Sequence, residues 1–295
     1  EISNKMSEHF QDIRFISIVG DICDKKKIER VFEENKIDVV FHAAAYKHVP
    51  MMENFPEEAV KVNVFGTKTV AEAALNHGVK KFVLISTDKA VKPHSVMGAT
   101  KRLAEEFIRM LNYTNNGGTE FIAVRFGNVL GSRGSVVPIF KEQISKRKPV
   151  TITHPEMQRY FMTIPEAVLL VLQAGAIGRG GDILILDMGK PIKIVDLAKQ
   201  MVRLSGLEPG KDIPIIYKGI RPGEKLIEEL MTPDEGIVHT THEKIYTVKS
   251  NGSFRNEVGN LSNLQKYVEI GDRKKIIEEL KRLVPSYSPF EAKRS

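Results

Sequence analysis

The stretch KFVLISTDKAVKPHSVMGATKRLAEEFIRML, residues 81–111, decides the fold of this chain. It opens with a short apolar run that is typical of a strand buried on both faces of a sheet. After a polar turn that contains a proline, apolar residues recur with helical spacing from Met97 to Leu111. A strand that runs into a helix in this way is one βα unit of a parallel sheet.

The same alternation of strand and helix continues on both sides of this unit. A strand precedes a helix with an Asp cap, a second apolar strand precedes a long helix that begins at a proline and ends at a glycine, and a further strand follows. These segments are RFISIVG (14–20), DKKKIERVFEENK (24–36), DVVFHAAA (38–45), 56–78 and TEFIAVRF (119–126). The pattern predicts an α/β fold with a doubly wound, Rossmann-type parallel sheet.

The glycine-rich loop that normally follows the first strand of such a sheet is missing from this sequence. In this architecture the loop carries the pyrophosphate of a dinucleotide, and its strand lies in the middle of the sheet. The first strand in this sequence therefore corresponds to the third strand of the complete architecture. We expect residue 1 to lie inside a longer gene product. The alternative is a chain with an unusual cofactor site.

The chain is expected to contain two parts and a tail. Residues 1–130 form a partial NAD-binding Rossmann region. After about Gly127 the spacing becomes irregular and prolines become frequent, so 131–285 are assigned to a smaller mixed α/β substrate lobe, interleaved with the last strands of the sheet. Residues 286–295 are expected to be a loosely held tail.

Composition and charge exclude several classes of protein. The net charge of +7 comes from scattered lysines and arginines without interleaved aromatic residues, so we predict no nucleic-acid partner. The single cysteine excludes an internal disulfide and a cysteine-rich zinc site, and no metal site is predicted. No apolar run is long enough to span a bilayer. These features are typical of a cytoplasmic protein with an anionic small-molecule substrate.

Several polar or small residues stand where strands end, which is where such sheets bind ligands. Asp21 follows the first strand, Ala43, Ala44 and Ala45 follow the second, and Ser86 and Thr87 follow the third. Asn63 lies in the middle of the long helix, where an amide is unfavourable, so we expect it to make a tertiary hydrogen bond.

Read in order, the motifs STDKA, MGATKR, RFGNVLGS, RYFMTIPEA and RPGEKL show a resemblance to a known group. The chain resembles the extended short-chain dehydrogenase/reductase superfamily from about Asp21 to Lys225. Within it, FHAAAYKHVP and STDKAVKPHSVMGATKR are similar to the nucleotide-sugar 4,6-dehydratases of polysaccharide biosynthesis that act on UDP-N-acetylglucosamine.

One departure from the superfamily pattern concerns its reactive Y-x-x-x-K pair. Lys101 is present, but Met97 occupies the tyrosine position, and a thioether cannot transfer protons at neutral pH. Methionine at this position is similar to the long, configuration-retaining members. In those proteins, transmembrane helices and another nucleotide-binding-like domain precede the catalytic part, so the full-length protein is expected to be membrane-anchored.

The resemblance implies a cofactor, NAD, with NADP as an open alternative. Asp21 and Ile22 would meet the adenine, and Lys101 would bind the hydroxyl groups of the nicotinamide ribose. The remaining cofactor contacts implied by the resemblance or by position at strand ends are Ala43, Ala44, Ala45, Lys47, Asn63, Ser86 and Phe126. For Lys47, an ordinary surface lysine is the alternative.

The resemblance also implies a substrate site for UDP-N-acetylglucosamine. Arg159 and Arg221 would grip the diphosphate, because the planar donor fork of arginine matches phosphate oxygens. Glu224 would bind a ribose hydroxyl or only orient Arg221. The other implied contacts are Lys47, Asn128, Val136, Val137 and Pro138 on the sugar nucleotide and uracil, and Thr151 and Thr153 on the uridine.

Because Met97 cannot transfer protons, catalysis is expected to depend on Thr87, Asp88 and Lys89, at the site that also holds the Met97 and Lys101 positions. By resemblance, Asp88 would protonate the departing 6-hydroxyl and Lys89 would take the carbon 5 proton. The 4-hydroxyl proton is expected to leave through Thr87, either to water or to Asp88. The hydride leaves carbon 4 and returns to carbon 6, which gives a UDP-4-keto-6-deoxy sugar. A UDP-sugar epimerase and a catalytically silent dinucleotide-binding regulator are the alternatives. A homo-oligomer is expected.

Overall fold

The computed structural model describes residues 2–115, 118–232, 235–248 and 256–289. Its helices are α1 (Ile2–His9), α2 (Lys25–Glu34), α3 (Val49–Asn54), α4 (Pro56–Val60), α5 (Thr67–Asn76), α6 (Val96–Thr114), α7 (Val136–Ser145), α8 (Ile164–Ile177), α9 (Ile194–Leu204), α10 (Ser262–Glu269) and α11 (Arg273–Leu283). Its strands are β1 (Val39–His42), β2 (Lys81–Ile85), β3 (Glu120–Arg125), β4 (Asn128–Val129), β5 (Val150–Ile152), β6 (Gln158–Arg159), β7 (Phe161–Met162), β8 (Ile183–Leu186), β9 (Ile192–Lys193), β10 (Ile215–Tyr217), β11 (Ile237–His239) and β12 (Ile245–Val248).

A six-stranded sheet in the order β1-β2-β3-β8-β12-β11 forms the centre of the fold. The first four strands are parallel, and β12 and β11 add to the far edge in antiparallel orientation. Alternate residues of β2 enter different cores: Phe82 and Leu84 pack with α4, α5 and α6, whereas Val83 packs with α8. Helices therefore cover both faces, and the predicted α/β, Rossmann-like fold is confirmed.

The segment RFISIVG (14–20) does not form the strand that its sequence predicts. Its backbone has no ladder partner within the described residues, and Phe15, Ile16 and Val19 are exposed. A strand exists only through hydrogen bonds to a neighbour, and the edge strand β1 pairs only with β2 in the described part of the chain. The helix that follows is present as α2, with Asp24 accepting a hydrogen bond from the backbone nitrogen of Lys27 at 3.0 Å.

The long helix predicted over 56–78 is interrupted by a change of hydrogen-bond spacing. Its middle turn, Lys61–Gly66, is π-helical and joins α4 to α5. The helix ends before Gly78, whose φ of 67° lies in the left-handed region. Short π-helical turns inside longer helices often occur at functional sites, and this one contains Asn63.

A second lobe has its own small core, built from α7, α9 and the short β5–β10 pair. The C-terminal helices do not belong to this lobe, although they fall within the predicted range 131–285. Helices α10 and α11 pack against α4 and α6 instead, because their apolar residues Leu264, Ile276 and Leu280 enter the core under the main sheet.

The beginning of the predicted loose tail, 286–295, is packed against the rest of the chain. Tyr287 is buried, and the backbone nitrogen of Ser288 donates to the carbonyl of Pro93 at 3.0 Å. This differs from the expectation, because burial of a large aromatic side chain favours the packed position of this segment. Residues 290–295 lie outside the described residues.

No helix in the described ranges combines the length and the apolar character needed to cross a bilayer.

Candidate active site

The carboxyl ends of β1, β2 and β3 lie side by side, and the loops that leave them carry most of the predicted site residues. The pairing continues beyond the strands: the backbone nitrogen of Ser86 donates to Val124, and that of Asp88 donates to the carbonyl of Phe126 at 3.1 Å. The segments 86–89 and 126–128 are thereby held at one edge of the sheet, and 43–45 follow the neighbouring strand β1 at the same edge. This is the edge at which ligands bind to open α/β sheets.

Thr87, Asp88 and Lys89 form one hydrogen-bonded unit in a short 3₁₀ turn. The Thr87 hydroxyl donates to Asp88 Oδ1 at 2.8 Å, and Lys89 Nζ donates to the same oxygen at 2.9 Å. Asp88 is fully buried. Its other oxygen, Oδ2, has no hydrogen-bond partner among the described residues. A buried carboxylate oxygen without a partner is costly, so this oxygen is suited to a donor supplied by a ligand.

Lys89 has two further polar neighbours. Its Nζ donates to Asn128 Oδ1 at 3.2 Å, and it lies 4.0 Å from Glu228 Oε1. The loop after β3, which carries Asn128, can lie this close to Asp88 because residue 127 is a glycine. A Cβ at this position would stand 3.0 Å from Tyr160 Cβ and 3.3 Å from Asp88 Oδ2. The predicted catalytic pair and the predicted substrate contact Asn128 are therefore in direct contact.

Helix α6 supplies Met97 and Lys101 one turn apart. Met97 is buried within the main core, where its thioether packs as an ordinary apolar side chain. Lys101 is also buried, and its Nζ donates to the carbonyl of Ile85 at 2.7 Å. Burial lowers the pKa of Lys101 to about 8, against the opposing effect of Glu105.

Asn63 makes the tertiary hydrogen bonds that its position in a helix predicts. Its Oδ1 accepts from the backbone nitrogen of Tyr46 at 2.7 Å, and its Nδ2 donates to the carbonyl of Tyr46 and to Thr100 Oγ1, each at 3.0 Å. Asn63 thus ties the loop after β1 to helix α6. His42 is a satisfied core histidine, paired with Thr67 at 2.9 Å.

Ser86 is directed away from the loops of the site. Its hydroxyl donates to Glu105 Oε1 at 2.5 Å, and Glu105 forms a bidentate pair with Arg125 at 2.8 and 2.9 Å. Burial alone would raise the pKa of Glu105, but the Arg125 guanidinium holds it below its usual range. In this structure the Ser86 hydroxyl therefore satisfies a buried ion pair, and the cofactor contact of Ser86 stays a prediction.

The two predicted diphosphate-binding arginines differ in exposure. Arg159 is buried; its Nη1 donates to the carbonyls of Gln158 and Leu226, and its Nη2 lies 3.8 Å from Glu228. Arg221 is 56% exposed, with its Nε 4.0 Å from Glu224. The backbone nitrogen of Arg221 also donates to Glu224 at 3.3 Å, which favours the orienting role for this glutamate.

The remaining predicted contacts lie around these loops. Asp21 accepts a hydrogen bond from the backbone nitrogen of Cys23, which lowers its pKa, and Ile22 packs against Gly66. The hydroxyl of Thr151 already accepts from Gln143 at 2.9 Å. The others are exposed or half-buried: Ala43, Ala44, Ala45, Lys47, Phe126, Val136, Val137, Pro138 and Thr153.

Sequence reasoning missed Glu228, Glu105 and Arg125. Glu228 lies in RPGEKLIEELM, where the structure has turns and bends between Arg221 and Met231. Glutamate is almost always exposed, so no local pattern identifies one that the fold buries. The only available signal was its position five residues after Gly223 in the RPGEKL motif.

Comparison with known proteins gives a clear family match. The model of the polysaccharide biosynthesis protein family matches residues 1–250. The capsular polysaccharide biosynthesis protein CapD of Staphylococcus aureus is 57% identical over 246 residues, which cover 83% of this chain and 41% of that protein. The chain thus spans about two fifths of the length of this relative.

Shorter relatives carry more specific names. A Campylobacter jejuni protein named UDP-N-acetylglucosamine 4,6-dehydratase (inverting) is 38% identical over 80% of this chain and 68% of its own length. A Rickettsia felis protein named UDP-glucose 4-epimerase is 39% identical over 74% of this chain and 62% of its own length.

Solved structures share the fold. Pen from Bacillus thuringiensis superposes with a TM-score of 0.76 and 39% identity, over 84% of this chain and 76% of that protein. DesIV, the dTDP-glucose 4,6-dehydratase of Streptomyces venezuelae solved with NAD bound, superposes with a TM-score of 0.66 at 20% identity, over 78% of this chain and 73% of that protein.

Proposed function

The chain belongs to the polysaccharide biosynthesis protein family, which has nucleotide-sugar dehydratases and epimerases among its named relatives, and from this we propose that it is a UDP-N-acetylglucosamine 4,6-dehydratase. One observation carries the proposal. A buried carboxyl, Asp88, shares a single oxygen with the Thr87 hydroxyl and the Lys89 amine at the carboxyl end of the sheet. This unit combines an acid, a base and a hydroxyl relay.

The residues at this edge of the sheet are suited to a nicotinamide dinucleotide. The small side chains of 43–45 leave the backbone after β1 accessible, Lys101 brings a buried amine to the end of β2, and Asp88 Oδ2 lacks a partner in the described residues. When bound, NAD would accept a hydride from carbon 4 and return it to carbon 6. Orientation and proton transfer belong to the protein.

In the proposed reaction, Thr87 and Asp88 handle the protons of the two hydroxyl groups. The 4-hydroxyl proton passes through the Thr87 hydroxyl to Asp88, along the 2.8 Å hydrogen bond. Asp88 then donates this proton to the departing 6-hydroxyl, which leaves as water. One carboxyl thus serves both steps, and no tyrosine is required at the Met97 position.

Lys89 is the proposed base for carbon 5. It removes the proton that the 4-ketone makes acidic, and it returns a proton to the same carbon once the hydride has reached carbon 6. Asp88 and Asn128 hold its Nζ by two hydrogen bonds, which limits the positions that the amine can occupy. Lys101 does not share this site of hydrogen bonding, because its Nζ donates to the carbonyl of Ile85 at the end of β2.

A UDP-sugar 4-epimerase is the second candidate, because a relative at 39% identity carries that name. An epimerase shares the oxidation at carbon 4 but removes no water, so it has no use for an acid at the 6-hydroxyl. The buried Asp88–Lys89 pair therefore favours dehydration. A silent dinucleotide-binding regulator would need neither group.

The test is incubation of the full gene product with NAD and UDP-N-acetylglucosamine, followed by NMR of the product. Dehydration gives a new methyl signal at carbon 6 and a keto carbon, or its hydrate, at carbon 4. An epimerase gives the 4-epimer with carbon 6 unchanged. Unchanged sugar, under conditions in which NAD and UDP binding are detected, would contradict the proposed function.

A further inference from the structure

Glu228 occupies a place in the site that the proposed reaction has not yet used. The segment that follows the Arg221 turn brings its carboxyl inward, where it is 4% exposed. Its Oε1 lies 4.0 Å from Lys89 Nζ and 3.8 Å from Arg159 Nη2. One carboxyl therefore stands between the proposed base and one of the proposed diphosphate-binding arginines.

Four charged groups face this carboxyl, and together with burial they set its ionisation. Burial raises the pKa of Glu228. Lys89 opposes this, the negative charge of Asp88 adds to it, and Arg159 and Lys225 lower the pKa again; the net direction is upward. Glu228 thus accepts a proton more readily than an exposed glutamate does.

The proposed base faces a problem of protonation. A lysine ammonium has three donors and no acceptor, so Lys89 must lose a proton before it can take one from carbon 5. In the proposed reaction Asp88 already takes the proton of the 4-hydroxyl and gives it to the 6-hydroxyl. The amide oxygen of Asn128 is not basic at neutral pH. Among the described neighbours of Lys89 Nζ, this leaves the carboxyl of Glu228.

We propose, on the basis of the proposed function, that Glu228 is a positioning residue that takes and holds the ammonium proton of Lys89 while Lys89 acts as the base. An N–H bond of Lys89 breaks and an O–H bond forms on Glu228, so a charged pair becomes a neutral pair and the net charge of the site does not change. The proton that Glu228 holds returns to Lys89 after Lys89 has given a proton back to carbon 5. The step needs no further reactant.

The first test compares Glu228→Gln with Glu228→Asp and with the matched control Glu229→Gln. Glu229 is the adjacent residue, is half-buried, and faces Lys92 at 3.8 Å. In Glu228→Gln we expect kcat to fall at least about tenfold while KM and NAD affinity stay near wild type. Glu228→Asp should recover part of the loss, and Glu229→Gln should behave as wild type. Equal kcat in Glu228→Gln and Glu229→Gln would overturn the inference.

The pH profile gives a readout that a purely structural role would not affect. As the pH falls through the raised pKa of Glu228, the carboxyl becomes neutral and can no longer accept the Lys89 proton, so wild-type kcat should fall. Glu228→Gln should lack this acidic limb. An identical acidic limb in wild type and Glu228→Gln would overturn the inference.

Infrared titration without substrate separates this inference from the proposed function. Wild type should show the C=O stretch of a protonated carboxyl that Glu228→Gln lacks. In Lys89→Met the same band should appear at higher pH, because the charge that lowers the pKa of Glu228 is gone. If the band does not depend on residue 89, the inference is overturned even when the wild-type enzyme forms the dehydrated product. Absence of that product with the dependence intact would instead count against the proposed function.

Discussion

At the scale of single residues, the proposed chemistry depends on where three side chains place one proton. Asp88 Oδ1 accepts from both Thr87 and Lys89, so the hydroxyl, the carboxyl and the amine are linked through one atom. The methionine at position 97 takes no part in that linkage and packs into the core. In the proposed reaction, the groups that transfer protons therefore lie in the turn after β2 and not on helix α6.

The first prediction concerns this pair. Asp88→Asn and Lys89→Met keep the size of each side chain but remove the acid and the base. We expect both variants to bind NAD and UDP-N-acetylglucosamine and to turn over at least about a hundredfold more slowly, in line with typical acid–base contributions. Lys92→Met is the matched control, since Lys92 lies in the same stretch but is exposed. Near-normal turnover in either variant would mean that the pair is structural.

The second prediction concerns substrate affinity. Arg221→Ala should weaken UDP binding about tenfold or more, because a charge-assisted bidentate contact contributes about 1.5–3 kcal/mol, and it should leave NAD affinity unchanged. Arg159→Ala should weaken UDP binding similarly and also destabilise the fold, because it leaves Glu228 without one of its cations. Calorimetry with UDP and with NAD separates these effects, with the exposed Arg203→Ala on α9 as the control. A parallel loss of NAD affinity would place these arginines at the cofactor.

At the scale of elements, the site depends on the close contact between α6 and the 3₁₀ turn 88–90. Gly98, in the first turn of α6, permits it: a Cβ there would overlap the carbonyl oxygen of Lys89 and stand 3.1 Å from Pro93 Cβ. The obstacle is backbone, which cannot rotate away as a side chain can. The glycine of MGATK is thus explained by the packing of one element on another.

The third prediction follows from this contact. Gly98→Ala should push α6 away from the turn that carries Asp88 and Lys89, so turnover should fall by at least about tenfold because small displacements of reacting groups are costly. Helix propensity alone would make the same change stabilising by roughly 1 kcal/mol. Gly118→Ala is the control, since a Cβ there meets only the side chain of Leu75 at 3.7 Å. Unchanged turnover and higher stability in Gly98→Ala would contradict the account.

At the scale of the whole molecule, one buried ion pair connects the sheet, a helix and the C-terminal part of the chain. Arg125 on β3 is fully buried; it pairs with Glu105 on α6 and, at 3.2 Å, with Glu235. Burial disfavours the charge of Arg125, but Glu105 outweighs this and raises its pKa. The sheet edge at β1 and the outer face of α8, by contrast, expose apolar residues: Val39, Phe41, Val168, Leu169 and Leu172.

The fourth prediction concerns the contribution of the buried Arg125–Glu105 pair to the free energy of unfolding. Arg125→Met should lower the free energy of unfolding by about 3–5 kcal/mol, because it leaves Glu105 charged and buried without its main partner. Arg273→Met removes an exposed pair with Glu57 and should cost less than about 1 kcal/mol. Urea unfolding gives both values. Similar small losses in the two variants would show that the buried cluster contributes little to stability.

The fifth prediction concerns stability and pH. Burial, helped by the charge of Lys101, lowers the pKa of His42 to about 3. The unfolded chain takes up this proton at about pH 6.5, the folded chain only near 3, so the free energy of unfolding should fall as the pH drops between these values. The slope from this residue is at most about 1.4 kcal/mol per pH unit. His42→Gln should flatten the curve, and an unchanged slope would contradict the assignment.

By itself the sequence determined the fold class, and it predicted the residues of the turn that carries the proposed catalytic pair. The apolar periods of KFVLIS and MGATKRLAEEFIRML and the cap at Asp24 are local properties of short segments, so the elements and their order could be predicted. The motifs STDKA and MGATK predicted Thr87, Asp88 and Lys89 as site residues without any knowledge of their contacts.

Only the tertiary structure decided what depends on neighbours distant in sequence. RFISIVG has the composition of a strand but lacks a partner in the described residues, and strand formation requires one. Ser86 is turned toward Glu105, and Glu228 is brought to Lys89 from 139 positions further along the chain. Burial and charge at such positions are properties of packed surroundings, and no pattern within a single segment contains them.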